Sequence, residues 1–137
     1  MYRPEWRKQS EKGNGPMKTR VIVCGCRDFC NQDFCFRILD EILGEYDDPE
    51  IVSGHAKGAD ACGEAYARLR SLPLKVFPAE WDKYGRAAGP IRNKQMLLYA
   101  LEAKPLVIAF WDGLSRGTKN MISQAEKADV EVRIVRI

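Results

Sequence analysis

Four short segments of the sequence combine glycine with arginine, aspartate or small hydroxyl residues. They are GCRDF (25–29), SGHAKGAD (53–60), AAGPIRN (87–93) and DGLSRGT (112–118). Glycine lets a backbone approach a phosphate closely, and the start of a helix directs unpaired N–H groups and a partial positive charge at an anion. If the fold brings these segments together, they have the chemistry of a site for a phosphate-bearing ligand.

Two arginines and two aspartates are the chemically active residues of these segments. Arg27 and Arg92 are candidate phosphate ligands, and Arg92 stands near a predicted helix start, where the dipole disfavours a cation unless an anion lies close. Asp60 and Asp112 could bind ribose hydroxyls, cap the helix that follows, or act as a general base, and they are the candidate catalytic residues. Thr118 is predicted to cap the last helix and to reach an anion there. The predicted ligand-binding residues are Gly25, Arg27, Ser53, Gly54, Gly58, Asp60, Arg92, Asn93, Asp112, Gly113, Ser115, Gly117 and Thr118.

Each of these residues also has a purely structural interpretation. The glycines could do no more than build tight turns, and Arg27 could be an exposed charge or pair with Asp28 or Asp60. Three aromatic residues near the same segments could stack on a base or fill the core at strand ends. These are Trp81, Tyr84 and Trp111.

The rest of the chain alternates short β-branched runs with longer helical patterns, which is typical of βαβ units around a parallel sheet. Strands are predicted at 20–24, at 51–53, and at 74–79, 106–111 and 131–137. Helices are predicted after an N-cap at Asn31, at 58–69 with Leu69 on the buried side, from Pro90 to 103, and at 117–128. The predicted fold is therefore α/β, a Rossmann-like three-layer sandwich with a mainly parallel five-stranded sheet of order 3-2-1-4-5. In such sheets ligands bind at the carboxyl ends of the strands, where the strand order reverses, and all four segments fall at that edge.

Composition points to one ordinary globular domain. The chain has 137 residues, 45% of them hydrophobic. Residues 1–19 are polar and aperiodic, so we predict a flexible tail followed by one domain at 20–137. With no apolar run of about 18 residues and no secretory signal pattern, we expect a cytoplasmic protein without a membrane partner.

Charge and cysteine content argue against two further classes of protein. Of the net charge of +3, residues 1–16 contribute +2, so the domain lacks the strongly basic character typical of nucleic-acid binders. The five cysteines form no CxxC pair and are read as reduced thiols in or near the core. With His55 the single histidine, we expect no structural metal.

Four segments follow one another along the chain in this order: GCRDF, SGHAKGAD, FPAEWDKYGRAAGPIRNKQM and AFWDGLSRGTKNMI. With these segments in this order, the chain resembles the YspA/YpsA-related branch of the SLOG superfamily, which is named after the Smf/DprA and Lonely-guy proteins. The resemblance covers about residues 20–137. It implies a Rossmann-like sheet that binds nucleotides or nucleotide-derived ligands. The residues at the family's motif positions are Gly25, Arg27, Gly54, Gly58, Asp60, Arg92, Asn93, Asp112, Gly117 and Thr118.

The chain departs from its better-defined relatives at one position. Lonely-guy proteins cleave the N-glycosidic bond of nucleoside monophosphates with a PGGxGT loop followed by a catalytic glutamate. Gly117 and Thr118 match the GT, but the positions two and three residues later are Asn120 and Met121. An oxocarbenium-like transition state needs a nearby carboxylate, which Asp112 or Asp60 would have to supply.

Three functions follow as expectations. The first is a binding or sensing domain, or a slow enzyme, for a ligand such as AMP, ADP-ribose or an NAD-like molecule, with no cofactor required. The second is a hydrolase of nucleotide N-glycosidic or phosphate bonds. The third is single-stranded nucleic-acid binding, as in DprA, which binds single-stranded DNA and whose SGxAxGxD segment SGHAKGAD resembles, although the balanced charge argues against it. A homodimer is left open.

Overall fold

The computed structural model describes residues 18–137, in which five strands alternate with helices. The strands are β1 (Thr19–Gly25), β2 (Pro49–Ser53), β3 (Leu74–Val76), β4 (Lys104–Trp111) and β5 (Val132–Arg136). The helices are α1 (Gln32–Leu43), α2 (Ala59–Leu69), the short α3 (Trp81–Tyr84), α4 (Ala88–Leu101) and α5 (Arg116–Lys127), with a 3₁₀ turn at Gly85–Ala87.

All five strands form one parallel sheet in the order β3-β2-β1-β4-β5. The predicted α/β three-layer fold and its strand order are therefore confirmed. The order reverses between β1 and β4, which pair in register from Thr19 opposite Lys104 to Gly25 opposite Phe110. The loops after these two strands diverge to opposite faces of the sheet, which leaves a crevice at their carboxyl ends.

The two faces of the sheet bury separate hydrophobic layers. Val21 and Val23 of β1 pack with α1 and α2. Ile22 and Cys24 of the same strand point the other way and pack with α4 and α5. β4 is equally buried on both faces from Leu106 to Phe110, as expected of a central parallel strand.

Some local predictions were wrong. Pro90 is the third residue of α4, where its missing N–H is still one of those a helix leaves unpaired. The stretch before it, to which we assigned no element from the sequence, contains α3 and the 3₁₀ turn. Leu69, predicted to be buried, is 64% exposed at the end of α2. Asn31 does cap α1, since its Oδ1 accepts a hydrogen bond from the Phe34 N–H.

The predicted tail at 1–19 lies outside the described residues except for Lys18 and Thr19. Thr19 begins β1, one residue earlier than predicted, and Lys18 forms an ion pair with Asp48 at 3.5 Å. In the described part of the chain, no helix has the length and apolar character needed to cross a bilayer.

Candidate functional site

The loop after β1 is held to the end of β4 at the crevice. The Cys26 N–H donates a hydrogen bond to the Phe110 carbonyl oxygen at 3.0 Å, and the Asp112 N–H donates to Cys26 Sγ at 3.3 Å. Phe29 stacks on Phe110, with ring centroids 5.1 Å apart. Because both ends of the turn are buried in this way, Arg27 between them is held at the surface of the crevice.

A cavity of about 700 Å³ opens at this edge of the sheet, a volume suited to a small-molecule ligand. Its walls come from the loops after β1 and β4 and from the starts of α2, α4 and α5. The structure thus brings together nine of the thirteen predicted ligand-binding residues, which are Gly25, Arg27, Asp60, Arg92, Asn93, Asp112, Ser115, Gly117 and Thr118.

Gly58 allows the loops after β1 and β2 to touch. Its φ is +80°, a conformation that L side chains rarely adopt. A Cβ on Gly58 would lie 2.2 Å from the Cys26 carbonyl oxygen and 2.6 Å from that of Arg27. The glycine therefore sets the distance between the two loops, although it does not itself line the cavity.

Arg92 spans the gap between α4 and the end of β2. Its Nη1 donates a short hydrogen bond to the Gly54 carbonyl oxygen, and its Nε donates to Asn93 Oδ1 at 3.1 Å. Burial lowers the pKa of Arg92, and the nearby charge of Asp60 acts in the opposite direction. A guanidinium keeps its proton even when buried, so Arg92 is a fixed positive charge on the cavity wall.

Asp60, in the first turn of α2, is buried, with 5% of its surface exposed. Its Oδ2 accepts a hydrogen bond from the Ala56 N–H at 3.1 Å, so it fastens the loop before the helix rather than capping α2. Burial raises its pKa to about 6, against the opposing effects of that hydrogen bond and of Arg92. A carboxyl that titrates near neutral pH on a cavity wall is a candidate acid–base group.

Asp112 has a different environment. Its Oδ1 accepts hydrogen bonds from the N–H groups of Leu114 (2.7 Å) and Ser115 (3.0 Å), which lower its pKa. It therefore organises the turn that leads into α5. Ser115, not Thr118, is the N-cap, and Thr118 is the third residue of α5, with its Oγ1 3.1 Å from Ser115 Oγ.

The start of α5 is tied to α4 by side-chain amides. Asn93 is buried, and its Nδ2 donates to the Gly117 carbonyl oxygen (3.2 Å) and to Asn120 Oδ1 (3.1 Å). Gln124 Nε2 also donates to Asn120 Oδ1, at 2.8 Å. Asn120 thus lines the cavity as a structural acceptor, while Met121 is in the core.

A second cavity of about 510 Å³ adjoins the first. Four residues line both of them, namely Arg27, Ala56, Trp81 and Arg92, and the Arg27 guanidinium carbon lies 5.9 Å from the centre of the Trp81 ring. Gly54 lines the second cavity only. The remaining predicted residues, Ser53, Gly58 and Gly113, line neither cavity.

Ser53 belongs to a buried polar cluster beneath the second cavity. Its Oγ donates to Glu64 Oε2 at 2.7 Å and accepts a hydrogen bond from the His55 N–H at 3.0 Å. A further hydrogen bond joins His55 Nδ1 to Glu64 Oε2 at 3.0 Å. Glu64 is 4% exposed, and Arg68 Nη2 approaches its other oxygen at 3.5 Å. The carboxylate is fully engaged in holding the loop after β2.

The aromatic candidates separate into two groups. Trp81 lines both cavities and is 49% exposed. Trp111 packs against the core, and its Nε1 donates to the Ser115 carbonyl oxygen, which matches the structural interpretation. Tyr84 lines neither cavity.

The cysteines are free thiols. Cys24 and Cys26 line the first cavity, and burial raises the pKa of both, so they present neutral groups to it. Cys30 is exposed, contrary to the prediction of core or near-core thiols. Among residues 18–137 no three His, Cys, Asp or Glu side chains are grouped to hold a metal ion.

Comparison with known proteins agrees with this architecture. Residues 19–84, from β1 through α3, match the sequence model of the YspA, cpYpsA-related SLOG family (YAcAr). Over these residues the chain belongs to that family. The Gene 61 protein of Mycobacterium phage D29 is 29% identical over 119 residues, which cover 82% of this chain and 93% of the phage protein. No solved structure matches the chain significantly.

Sequence reasoning missed several charged residues of this site. Arg86 and Arg116 line the first cavity, and Lys57 lines the second. Glu64 was also missed, although it follows Asp60 by four positions, a spacing that places both carboxyls on one face of α2. The three cations lie in a loop, in the 3₁₀ turn and at the first residue of α5, and their positions gave no such signal.

Proposed function

We propose that the chain binds a nucleotide or nucleotide-derived ligand in the first cavity. One observation carries the proposal: Arg27, Arg92, Asp60 and Asp112, from four separate segments of the chain, line one cavity at the strand-order reversal of the sheet. Ligands of open α/β sheets bind at that point. Membership of a SLOG family supports a ligand of nucleotide type.

The charges in the cavity suit the parts of a nucleotide. Arg27 and Arg92 offer guanidinium groups to phosphate oxygens, which arginine binds in a two-pronged geometry. Asp60, which lies near Arg92 beside Gly54, offers a carboxyl to ribose hydroxyls. Trp81 has an exposed ring that a base can stack on.

Thermal unfolding of the full chain with AMP, ADP, ADP-ribose, NAD and short single-stranded DNA tests the proposal. A bound ligand at 100 times its dissociation constant adds about 2.7 kcal/mol to the free energy of unfolding. The shift should be smaller in Arg27→Ala and unchanged in Arg37→Ala, which removes an equally exposed arginine that lines neither cavity. If no nucleotide raises the unfolding temperature, the proposal is wrong. A rise in unfolding temperature with DNA alone would favour binding of single-stranded nucleic acid.

A second candidate function, hydrolysis of a nucleotide N-glycosidic bond, is favoured by the environment of Asp60. This carboxyl lines the cavity with a pKa of about 6, whereas the Asp112 carboxylate is occupied by two backbone N–H groups. If the chain is such an enzyme, release of free base from nucleoside monophosphates should be lost in Asp60→Asn and largely kept in Asp112→Asn. Equal turnover in Asp60→Asn and the natural chain would exclude Asp60 as the catalytic group.

A further inference from the structure

The two cavities differ in the charge of their walls. The first is lined by four arginines and three aspartates, so its charges nearly balance. The second is lined by Arg27, Lys57 and Arg92, together with His55, and has no acidic residue in its lining. A cavity whose charged lining residues are all cationic concentrates anions, because no carboxylate in that lining competes for the cations.

Two of the cations that line the second cavity, Arg27 and Lys57, have no carboxylate partner among residues 18–137. Lys57 is exposed and makes no hydrogen bond or ion pair with any residue of 18–137. Arg27 has the Trp81 ring 5.9 Å away, but no carboxylate oxygen of the described residues lies within 4.0 Å of its guanidinium nitrogens. The predicted alternative, a salt bridge from Arg27 to Asp28 or Asp60, is therefore not formed. Both cations are available to an external anion.

The second cavity is continuous with the first through its shared wall. Arg27 and Arg92 line both cavities, so a phosphate bound between them touches the first cavity on one side and the second on the other. A nucleoside bound beside Asp60 would then direct any further phosphate group away from the three aspartates and towards Lys57.

His55 is held in one orientation at this second cavity. Its backbone has φ of +61°, and its Nδ1 bonds to the buried Glu64 carboxylate. The Glu64 carboxylate accepts from Nδ1–H, so the ring nitrogen left to meet a ligand is Nε2, which donates to a phosphate oxygen when the imidazole carries both protons. Nε2 makes no hydrogen bond within residues 18–137. The cluster of Ser53, His55 and Glu64 thus fixes a polar atom beside Lys57.

From these observations we propose that the second cavity, at Lys57 and His55, is the subsite for the terminal phosphate of a nucleoside diphosphate whose nucleoside occupies the first cavity. This inference rests on the proposed nucleotide-binding function and narrows its ligand class. Arg27 and Arg92 hold the phosphate nearest the ribose, and Lys57 with His55 Nε2 contacts the terminal one. A dinucleotide would place a second ribose in a cavity whose lining among residues 18–137 has no carboxylate for the ribose hydroxyls, so diphosphates are favoured over NAD-like ligands.

Calorimetric titration of the full chain with four pairs of nucleotides tests the subsite: AMP and ADP, GMP and GDP, CMP and CDP, UMP and UDP. For the pair that binds, the diphosphate should bind about fivefold to tenfold more tightly than the monophosphate. Lys57→Ala should lower that ratio to about one to two, and Lys57→Arg should keep it. Lys127→Ala is the matched control, since Lys127 is an exposed lysine in the last turn of α5 and lines neither cavity.

Two negative outcomes have different meanings. If a monophosphate binds but its diphosphate binds no more tightly, or if Lys57→Ala leaves the ratio intact, the subsite is wrong and the proposed function stands. If none of the eight nucleotides binds, the subsite is wrong, and the proposed function fails with it when ADP-ribose and NAD also leave the unfolding temperature unchanged. His55→Asn, which keeps a residue type tolerant of positive φ, should also lower the ratio, and an unchanged ratio would remove His55 from the subsite.

Discussion

The guanidinium of Arg92 lies directly over Gly54, to whose carbonyl oxygen its Nη1 donates a hydrogen bond. The two residues are 38 positions apart, one on α4 and the other at the end of β2. A Cβ on Gly54 would lie 2.4 Å from Arg92 Nη1 and 2.9 Å from Asp60 Oδ2. Because Gly54 has no side chain, the Arg92 guanidinium and the Asp60 carboxyl can both lie against its backbone.

Gly54→Ala should displace Arg92 and weaken nucleotide binding about tenfold, a loss equivalent to one charge-assisted contact to a phosphate. The fold should survive, because the nearest atoms are the far end of a flexible side chain. Calorimetric titration with the nucleotide that binds the natural chain measures the effect. Affinity equal to that of the natural chain would show that the position of Arg92 over Gly54 is not needed.

Gly58→Ala should destabilise the fold itself. Here the added Cβ meets backbone, 2.2 Å from the Cys26 carbonyl oxygen, and φ of +80° is strained for alanine. We expect a loss of about 2–4 kcal/mol in the free energy of unfolding, measured by urea denaturation. Gly117→Ala is the control, because its Cβ would meet nothing within 4 Å in the described structure and α5 would gain up to about 1 kcal/mol of helix propensity. Equal losses in both variants would contradict the argument.

The contrast between these glycines marks the limit of sequence reasoning at this site. The sequence placed Gly25, Gly54 and Gly58 in turns after parallel strands, because strand and helix periodicity fixes where the loops must be. It could not distinguish a glycine that touches another loop from one that lines a cavity. That difference depends on distances across loops that are far apart in the chain.

Stability should depend on pH through Asp60. Burial raises the pKa of this carboxyl to about 6 in the folded chain, from 3.8. The folded state therefore binds the Asp60 proton more tightly than the unfolded state does. The resulting contribution to the free energy of unfolding is complete below about pH 4 and is lost as the pH rises through 6. Relative to Asp60→Asn, the natural chain should lose about 2 kcal/mol of unfolding free energy between about pH 4.5 and pH 7.5.

Asp112→Asn provides the comparison for that measurement. The N–H groups of Leu114 and Ser115 lower the pKa of Asp112. Ionised Asp112 therefore adds to the free energy of unfolding at a pH above its pKa in the unfolded chain, and this contribution is lost as the pH falls. Urea denaturation at several pH values gives the difference in unfolding free energy between the natural chain and each variant. Plotted against pH, this difference should have opposite slopes for Asp60→Asn and Asp112→Asn. Parallel curves for Asp60→Asn and the natural chain would mean that Asp60 titrates in its ordinary range.

The fold was predictable in more detail than the site. Alternation of β-branched runs and helical patterns indicates a parallel sheet with right-handed crossovers. The strand order came from the Rossmann-like class, since other doubly wound sheets have the same alternation with another order. The second cavity was not predictable, because its lining depends on α3, a four-residue helix whose Trp81 and neighbours show no periodicity. The role of Glu64 was not predictable either, because an acidic residue in a helix usually lies in solvent.

Asn120 is at one of the two positions where the resemblance to Lonely-guy proteins would place a glutamate, and here it joins two helices. Its Oδ1 accepts hydrogen bonds from Asn93 and Gln124. Asn120→Ala should cost about 1–2 kcal/mol of unfolding free energy, because the buried Asn93 amide loses an acceptor. Asn120→Asp keeps an oxygen in the same place and should retain most of the stability, while its added negative charge on the wall of the first cavity weakens binding of nucleotides. Urea denaturation and calorimetric titration separate the two effects, and an Asp variant as unstable as the Ala variant would show that the amide group itself is required.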